Sequence, residues 1–259
     1  MASSKEIKHR SFFKKIIINF FDFVGYELKK KNNFYDRWGN FITEANEQER
    51  KDLKFFQKIS LASEVNLWSI NQSLKHIFNE KIEGDIVECG VYNGSTLSYI
   101  GKICEELKLK KKIWGYDTFN GFVENSLTNK DLDFKTGEKV KLGVQDIFYS
   151  LEEVKKNIIN YDLKNFDKYI FIKGDVIKTL DSEQNLPKKI SFLRLDTDLY
   201  KTTKKQLEIL FSRLSKGGIL HIDDYGHCPG VKVAVDEFFL NTDIWLHRVD
   251  LSCRYLIKK

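Results

Sequence analysis

Residues 85–96 read DIVECGVYNGST. A short run rich in apolar residues, Asp85–Cys89, leads into a turn punctuated by Gly90 and Gly94, and a helix-compatible stretch opens at Ser95. Glycines at such a turn let the backbone bend sharply and let another group approach closely. The pattern predicts a strand, a tight turn and a helix, the opening unit of an α/β sheet.

The rhythm continues along the chain. Further strands are expected at Lys112–Tyr116, Tyr169–Lys173, Ile190–Leu195, Gly218–Ile222, Trp245–Val249 and Arg254–Ile257, with helical stretches at 95–108, 151–161, 201–214 and 230–240. Ser150 with Glu153 fits a capping box for the second of these helices. Strands alternating with helices imply a doubly wound, mostly parallel seven-stranded α/β sheet with helices on both faces. Residues 1–80 read as a helical N-terminal extension, either a lid or an oligomer contact. Within it, residues 62–78 form an amphipathic helix burying Val65, Leu67, Trp68, Ile70, Leu74 and Ile77, and an apolar stripe with a basic flank runs from Lys5 to Phe21. That stripe suits a packed helix, with a membrane-surface helix as the alternative. Residues 81–259 are expected to form the domain built on this sheet. The aperiodic stretch 122–150 is expected to be an insertion over the substrate, since so long a loop in a compact domain usually has a function.

Composition narrows the classes. The 259 residues carry 43 basic and 37 acidic side chains, a formal charge of +6. The excess is mild and scattered; it suits an anionic small substrate such as a nucleotide sugar and does not argue for nucleic acid. The four cysteines, Cys89, Cys104, Cys228 and Cys253, form no C-x-x-C pair. No secretory pattern and no apolar run of about 18 residues is present, so a cytoplasmic protein without a membrane span is expected.

Glu88, Gly90 and Gly94 are spaced E-x-G-x-x-x-G. No lysine follows as in a phosphate-cradling loop, and G-x-G-x-x-G is absent. An acid at the strand end suits an ammonium or hydroxyl group, so the turn fits the methionine part of S-adenosylmethionine better than a dinucleotide. The second strand leads to Asp117, where a carboxylate can accept ribose hydroxyls, and the third to Gly174-Asp175, where one can meet an adenine amino group. Each acid alone is as easily an ordinary loop residue. Three of them at the carboxyl edge of consecutive strands, where open α/β sheets bind ligands, favour a cofactor site.

The fourth strand ends in Asp196 and Asp198, which share a face if the strand continues. The fifth ends in Asp223 and Asp224. Neighbouring strands would gather these carboxylates around one spot, where their mutual repulsion favours a hard divalent cation, Mg²⁺ or Mn²⁺. Helix capping is the competing explanation for any single aspartate. His221 falls within a strand and reads as a packed histidine, whereas His227 lies in the loop after Asp224, nearer the expected chemistry.

The segments VECGVYNGST, YDTFNGF, GDVIKTL, LRLDTDLYKTT and LSKGGILHIDDYGHCPGVKVAVDEF, in this order, resemble the macrocin O-methyltransferase family over about residues 60–257. The resemblance implies a class I methyltransferase fold, use of S-adenosylmethionine and Mg²⁺, a homo-oligomer, and methylation of a sugar hydroxyl. It implies metal binding by Asp196, Asp223 and Asp224 and a general base at Asp198; His227, from its place in the loop after Asp224, is the rival base. The cofactor would be held by Glu88, Gly90, Val91, Gly94, Ser95, Asp117, Thr118, Phe119, Gly174, Asp175 and Asp196. Two competing functions use the same residues differently: a metal-dependent phosphoryl or nucleotidyl transferase, and a non-catalytic S-adenosylmethionine-binding protein. A base-modifying nucleic-acid methyltransferase is disfavoured, because no N/D-P-P-Y motif follows the fourth strand.

Overall fold

The computed structural model describes residues 42–123, 126–132, 136–138, 148–161 and 166–259. The basic N-terminal stripe lies outside the described residues. Glu44–Lys259 form one compact unit, and it contains two helices that precede the sheet: α1 (Glu47–Ile59) and α2 (Glu64–Asn79). Asn46 and Glu49 cap α1 reciprocally, and the Ser63 side chain caps α2. The expected stripe of α2 holds: Leu67, Ile70, Leu74 and Ile77 are buried, while Val65 and Trp68 are half-buried.

After α2 come β1 (Asp85–Cys89), α3 (Ser95–Glu106), β2 (Ile113–Asp117), α4 (Leu151–Asn160), β3 (Tyr169–Lys173) and α5 (Val176–Thr179). Then follow β4 (Ile190–Leu195), α6 (Tyr200–Leu210), β5 (Leu214–Ile222), α7 (Pro229–Phe238), β6 (His247–Arg248) and β7 (Arg254–Ile257). The sheet has seven strands in the order β3-β2-β1-β4-β5-β7-β6. The first five are parallel, and β7 is antiparallel to both β5 and β6. The predicted seven strands are all present. β5 begins four residues earlier than the alternation suggested, and β6 is trimmed to two residues. Ser150 and Glu153 form the capping box of α4.

All six residues of β4 are buried, as befits a central strand covered on both faces. One face packs Val87, Leu193, Leu195, Leu220 and Ile222 against Leu207 and Leu210 of α6 and Val231 and Val235 of α7. The other face carries a polar row in register, Glu88, Arg194, His221 and Tyr255, and α2 reaches it by hydrogen bonds from Ser69 and Asn66. The chain leaves in opposite directions from β1 and β4, so the crevice beyond their carboxyl ends is the topological switch point where doubly wound sheets place ligands.

Candidate active site

At that switch point Gly90 turns with φ +88°, and a Cβ there would stand 1.7 Å from the carbonyl oxygen of Asp196. Only glycine lets the first turn pass so close to the end of β4. The Asp196 amide donates to the Cys89 carbonyl (2.8 Å) and the Asp223 amide to Leu195 (2.9 Å), fixing the ends of β1, β4 and β5 side by side.

A cavity of about 360 Å³ opens here, within the size range of small-ligand sites. Gly90, Asp117, Thr118, Gly174, Asp175 and Asp196 line it; Glu88, Val91, Gly94, Ser95 and Phe119 do not. The Asp117 carboxylate organises the turn: Oδ2 accepts from the amides of Val91 (2.7 Å) and Tyr92 (3.2 Å), and Oδ1 from that of Phe119 (2.7 Å). Asp175 caps α5 through the Ile177 amide (3.0 Å). Ser95 bonds to Asn93, holding the start of α3. Aromatic residues that sequence patterns did not single out complete the wall: Tyr92 and Tyr149, in edge contact at 5.0 Å, with Phe122 and Phe148. They come from the glycine turn and the aperiodic stretch, neither of which has a period to betray them.

Glu88 is placed differently from the acid foreseen at the cofactor's ammonium. It is fully buried, and its Oε1 accepts from Arg194 Nη1 at 2.8 Å. Burial pushes its carboxyl up to about 7, against the pull of Arg194. Arg194 also holds Asp196 (2.5 Å) and Asp223 (2.6 Å). Its signal in the sequence was a lone charge in the apolar run ISFLRL.

The four aspartates do converge. Ligand oxygens of Asp196, Asp223 and Asp224 lie within 4.8 Å of one another, and those of Asp198 and Asp224 form a second such group with the Cys228 sulfur. Asp198 does not arrive by strand alternation, because β4 ends at Leu195; a left-handed backbone, φ +59°, turns it toward Asp224. Burial pushes Asp196 and Asp224 well above the usual carboxylate range and Asp198 up to about 7, and Asp196 adds to the rise at Asp198. Asp224, 9% exposed, leaves Oδ2 without a hydrogen-bond partner. One guanidinium thus pairs with three of five clustered carboxyl groups, and the orphaned oxygen together with the all-oxygen donor set fits a hard divalent cation. His227 is exposed and belongs to neither group, while His221 is buried and held neutral, its imidazole pushed down to about 3 by burial.

The aperiodic stretch is anchored by Asp131, which is 1% exposed. Its Oδ1 accepts from the Tyr200 amide at the start of α6 (2.8 Å), and its Oδ2 accepts from the amide and hydroxyl of Thr128 (both 2.7 Å). Lys130 pairs with Glu237 on α7.

The sequence profile of the macrocin O-methyltransferase (TylF) family matches residues 29–258. The chain is 31% identical over 182 residues to demethyldecarbamoylnovobiocin O-methyltransferase of Streptomyces niveus, covering 69% of this chain and 66% of the relative. It is 28% identical over 158 residues to a tetracenomycin rhamnosyl 4'-O-methyltransferase of Streptomyces olivaceus, covering 61% and 59%. The chain therefore spans roughly two thirds or somewhat less of the length of these curated relatives. The solved structure of the O-methyltransferase NovP superposes with a TM-score of 0.66 at 27% identity, covering 77% of this chain and 82% of that one. The calicheamicin methyltransferase CalS11 shares the fold at 19% identity, TM-score 0.57, covering 89% and 98%. Sequence profile, topology and switch-point geometry agree, and the chain belongs to the macrocin O-methyltransferase family, with the class I methyltransferase fold.

Proposed function

We propose that this protein transfers a methyl group from S-adenosylmethionine to a sugar hydroxyl, with a divalent cation, Mg²⁺ or Mn²⁺, at Asp196, Asp223 and Asp224. The observation that carries the reading is the adjacency of the two sites: Asp196 both lines the cavity at the switch point and belongs to the carboxylate cluster. Donor and acceptor are thereby held side by side, and such positioning supplies much of the acceleration in a transfer between two bound molecules.

In this reading the glycine turn and Asp117 bind the nucleoside part of the donor, and the aromatic wall of Tyr92, Tyr149 and Phe148 shields it from water. A bound cation lowers the pKa of a coordinated hydroxyl and orients it. In the same reading Asp198 receives the acceptor's proton on a carboxylate oxygen as the methyl carbon leaves sulfur and bonds to oxygen. His227, exposed and apart from the carboxylates, is the weaker base candidate. The tetracenomycin relative is named for a rhamnosyl acceptor, which supports a sugar here. The mild positive charge, and Lys201 on the cavity wall, favour a nucleotide-activated sugar or polysaccharide precursor.

The test is release of S-adenosylhomocysteine from S-adenosylmethionine across a panel of nucleotide-activated and free sugars, with Mg²⁺ and after EDTA treatment. Metal-dependent release with a sugar acceptor is the expected result. Full turnover by metal-free protein would remove the cation from the account, and phosphoryl transfer without S-adenosylmethionine binding would replace it with a different enzyme class.

A further inference from the structure

Two cation-sized donor groups meet at Asp224. One, with Asp196 and Asp223, is entirely oxygen; the other joins Asp224 to Asp198 and to the Cys228 sulfur. Sγ of Cys228 lies 3.8 Å from Asp198 Oδ1. The short helical turn Asp224–Gly226 doubles the chain back, so that the Cys228 amide donates to the Asp224 carbonyl (2.7 Å) and its side chain returns to the cluster. The three donor atoms lie within 4.8 Å of one another. An ion about 2.0–2.3 Å from each donor in tetrahedral geometry holds its donors roughly 3.3–3.8 Å apart, and the 3.8 Å between Cys228 Sγ and Asp198 Oδ1 is of that size.

A second observation points to a ligand at this spot. Oδ2 of Asp224 is buried in a residue 9% exposed and has no hydrogen-bond partner. Buried polar atoms are ordinarily paired, and an unpaired carboxylate oxygen between two donor groups is an acceptor awaiting a cation. Cys228 is also unlike the other cysteines: Cys89, Cys104 and Cys253 are buried, whereas Cys228 is half-exposed at the mouth of the cluster.

We propose that Cys228, Asp198 and Asp224 form a mixed sulfur–oxygen cation position that shares Asp224 with the all-oxygen one, so that a thiophilic divalent ion such as Cd²⁺, Co²⁺ or Zn²⁺ held there takes the place of the hard ion and occupies the Asp198 carboxylate that otherwise receives the proton. Thiolate ligation selects softer ions, while carboxylates alone favour Mg²⁺ and Mn²⁺. Uptake replaces the sulfur–hydrogen bond with a sulfur–metal bond, and the thiol proton leaves to solvent. The inference rests on the reading of the carboxylate cluster as a cation site and adds a sulfur donor to it.

The experiment titrates Cd²⁺ into the EDTA-stripped, dialysed full-length protein, following sulfur-to-cadmium charge-transfer absorption in the ultraviolet alongside calorimetry, with Mg²⁺ titrated in parallel. Wild-type protein gains the band as Cd²⁺ binds. Cys228→Ser and Cys228→Ala lose the band and bind Cd²⁺ at least about tenfold more weakly, the smaller loss typical of a partner removed from a metal's surroundings, with Mg²⁺ affinity and circular dichroism unchanged. Cd²⁺ binding without the band, or a band that persists in both Cys228 variants, overturns the sulfur ligand and leaves the carboxylate reading standing. Absence of heat with Cd²⁺ and with Mg²⁺ overturns both.

Discussion

Arg194 Nη1 lies 2.8 Å from Glu88 Oε1, with the two side chains 2% and 0% exposed. The same guanidinium reaches Asp196 and Asp223, so it ties β1 to the ends of β4 and β5 beneath the carboxylate cluster. A buried pair of this kind need not add net stability over an apolar pair, but removing one partner strands the other charge. Arg194→Met is expected to destabilise the protein by about 3–5 kcal/mol, read by urea unfolding. Arg194→Met combined with Glu88→Gln should recover part of that loss. A single variant within about 0.5 kcal/mol of wild type, the range of ordinary surface substitutions, would show that the network is not structural.

Asp131 takes the place of a helix cap at a distance. Leu199, the residue before α6, offers no side-chain cap, and Asp131 Oδ1 accepts from the first helical amide at 2.8 Å instead. Gly230 leaves the room for it, since a Cβ there would stand 1.9 Å from that oxygen. Asp131→Ala should cost about 0.5–2 kcal/mol, the usual range for a lost cap, and should speed proteolytic cutting between residues 126 and 132. Unchanged melting temperature and unchanged cutting would contradict the anchor.

Asp117 does two jobs, lining the cavity and accepting three backbone amides that hold the turn. Asp117→Ala should weaken S-adenosylmethionine binding by about 1–3 kcal/mol, the size of a lost charge-assisted partner. Calorimetry showing wild-type affinity would leave Asp117 with its turn-holding role alone.

The carboxylate cluster should couple cation binding to pH. Burial holds Asp196 and Asp224 well above the usual carboxylate range and Asp198 at about 7. Without a cation these groups retain protons at mildly acidic pH, and a cation must displace them to bind. Raised carboxyl pKa values therefore mean that Mg²⁺ affinity climbs as pH rises through neutrality and that binding releases protons. Calorimetry at about pH 6 and about pH 8, in buffers of different ionisation heat, measures both. An affinity independent of pH would contradict the cation's placement among these residues.

Much of this was legible in the sequence. The strand positions followed from apolar runs bounded by turn residues, and Asp85–Cys89, Tyr169–Lys173, Ile190–Leu195 and Arg254–Ile257 match residue for residue. The convergence of Asp196, Asp198, Asp223 and Asp224 followed from the adjacency of β4 and β5. What escaped was whatever depends on partners across the fold. Glu88 looks like a strand-end acid until the register sets Arg194 beside it. Asp198 reaches the cluster through a positive φ that no alternation pattern encodes. Asp131 sits in a stretch without a period, and its worth comes from a helix start that lies 69 residues further on.

If the switch-point cavity holds the donor through the glycine turn and Asp117, donor binding does not need the cation, although the two sites share Asp196. Titration of S-adenosylmethionine into EDTA-stripped protein tests this most directly. Saturable binding that survives cation removal, and that persists in Asp223→Asn and Asp224→Asn while Mg²⁺ affinity falls, is the predicted result. A folded wild-type protein that gives no binding heat with S-adenosylmethionine, with or without Mg²⁺, would contradict the account.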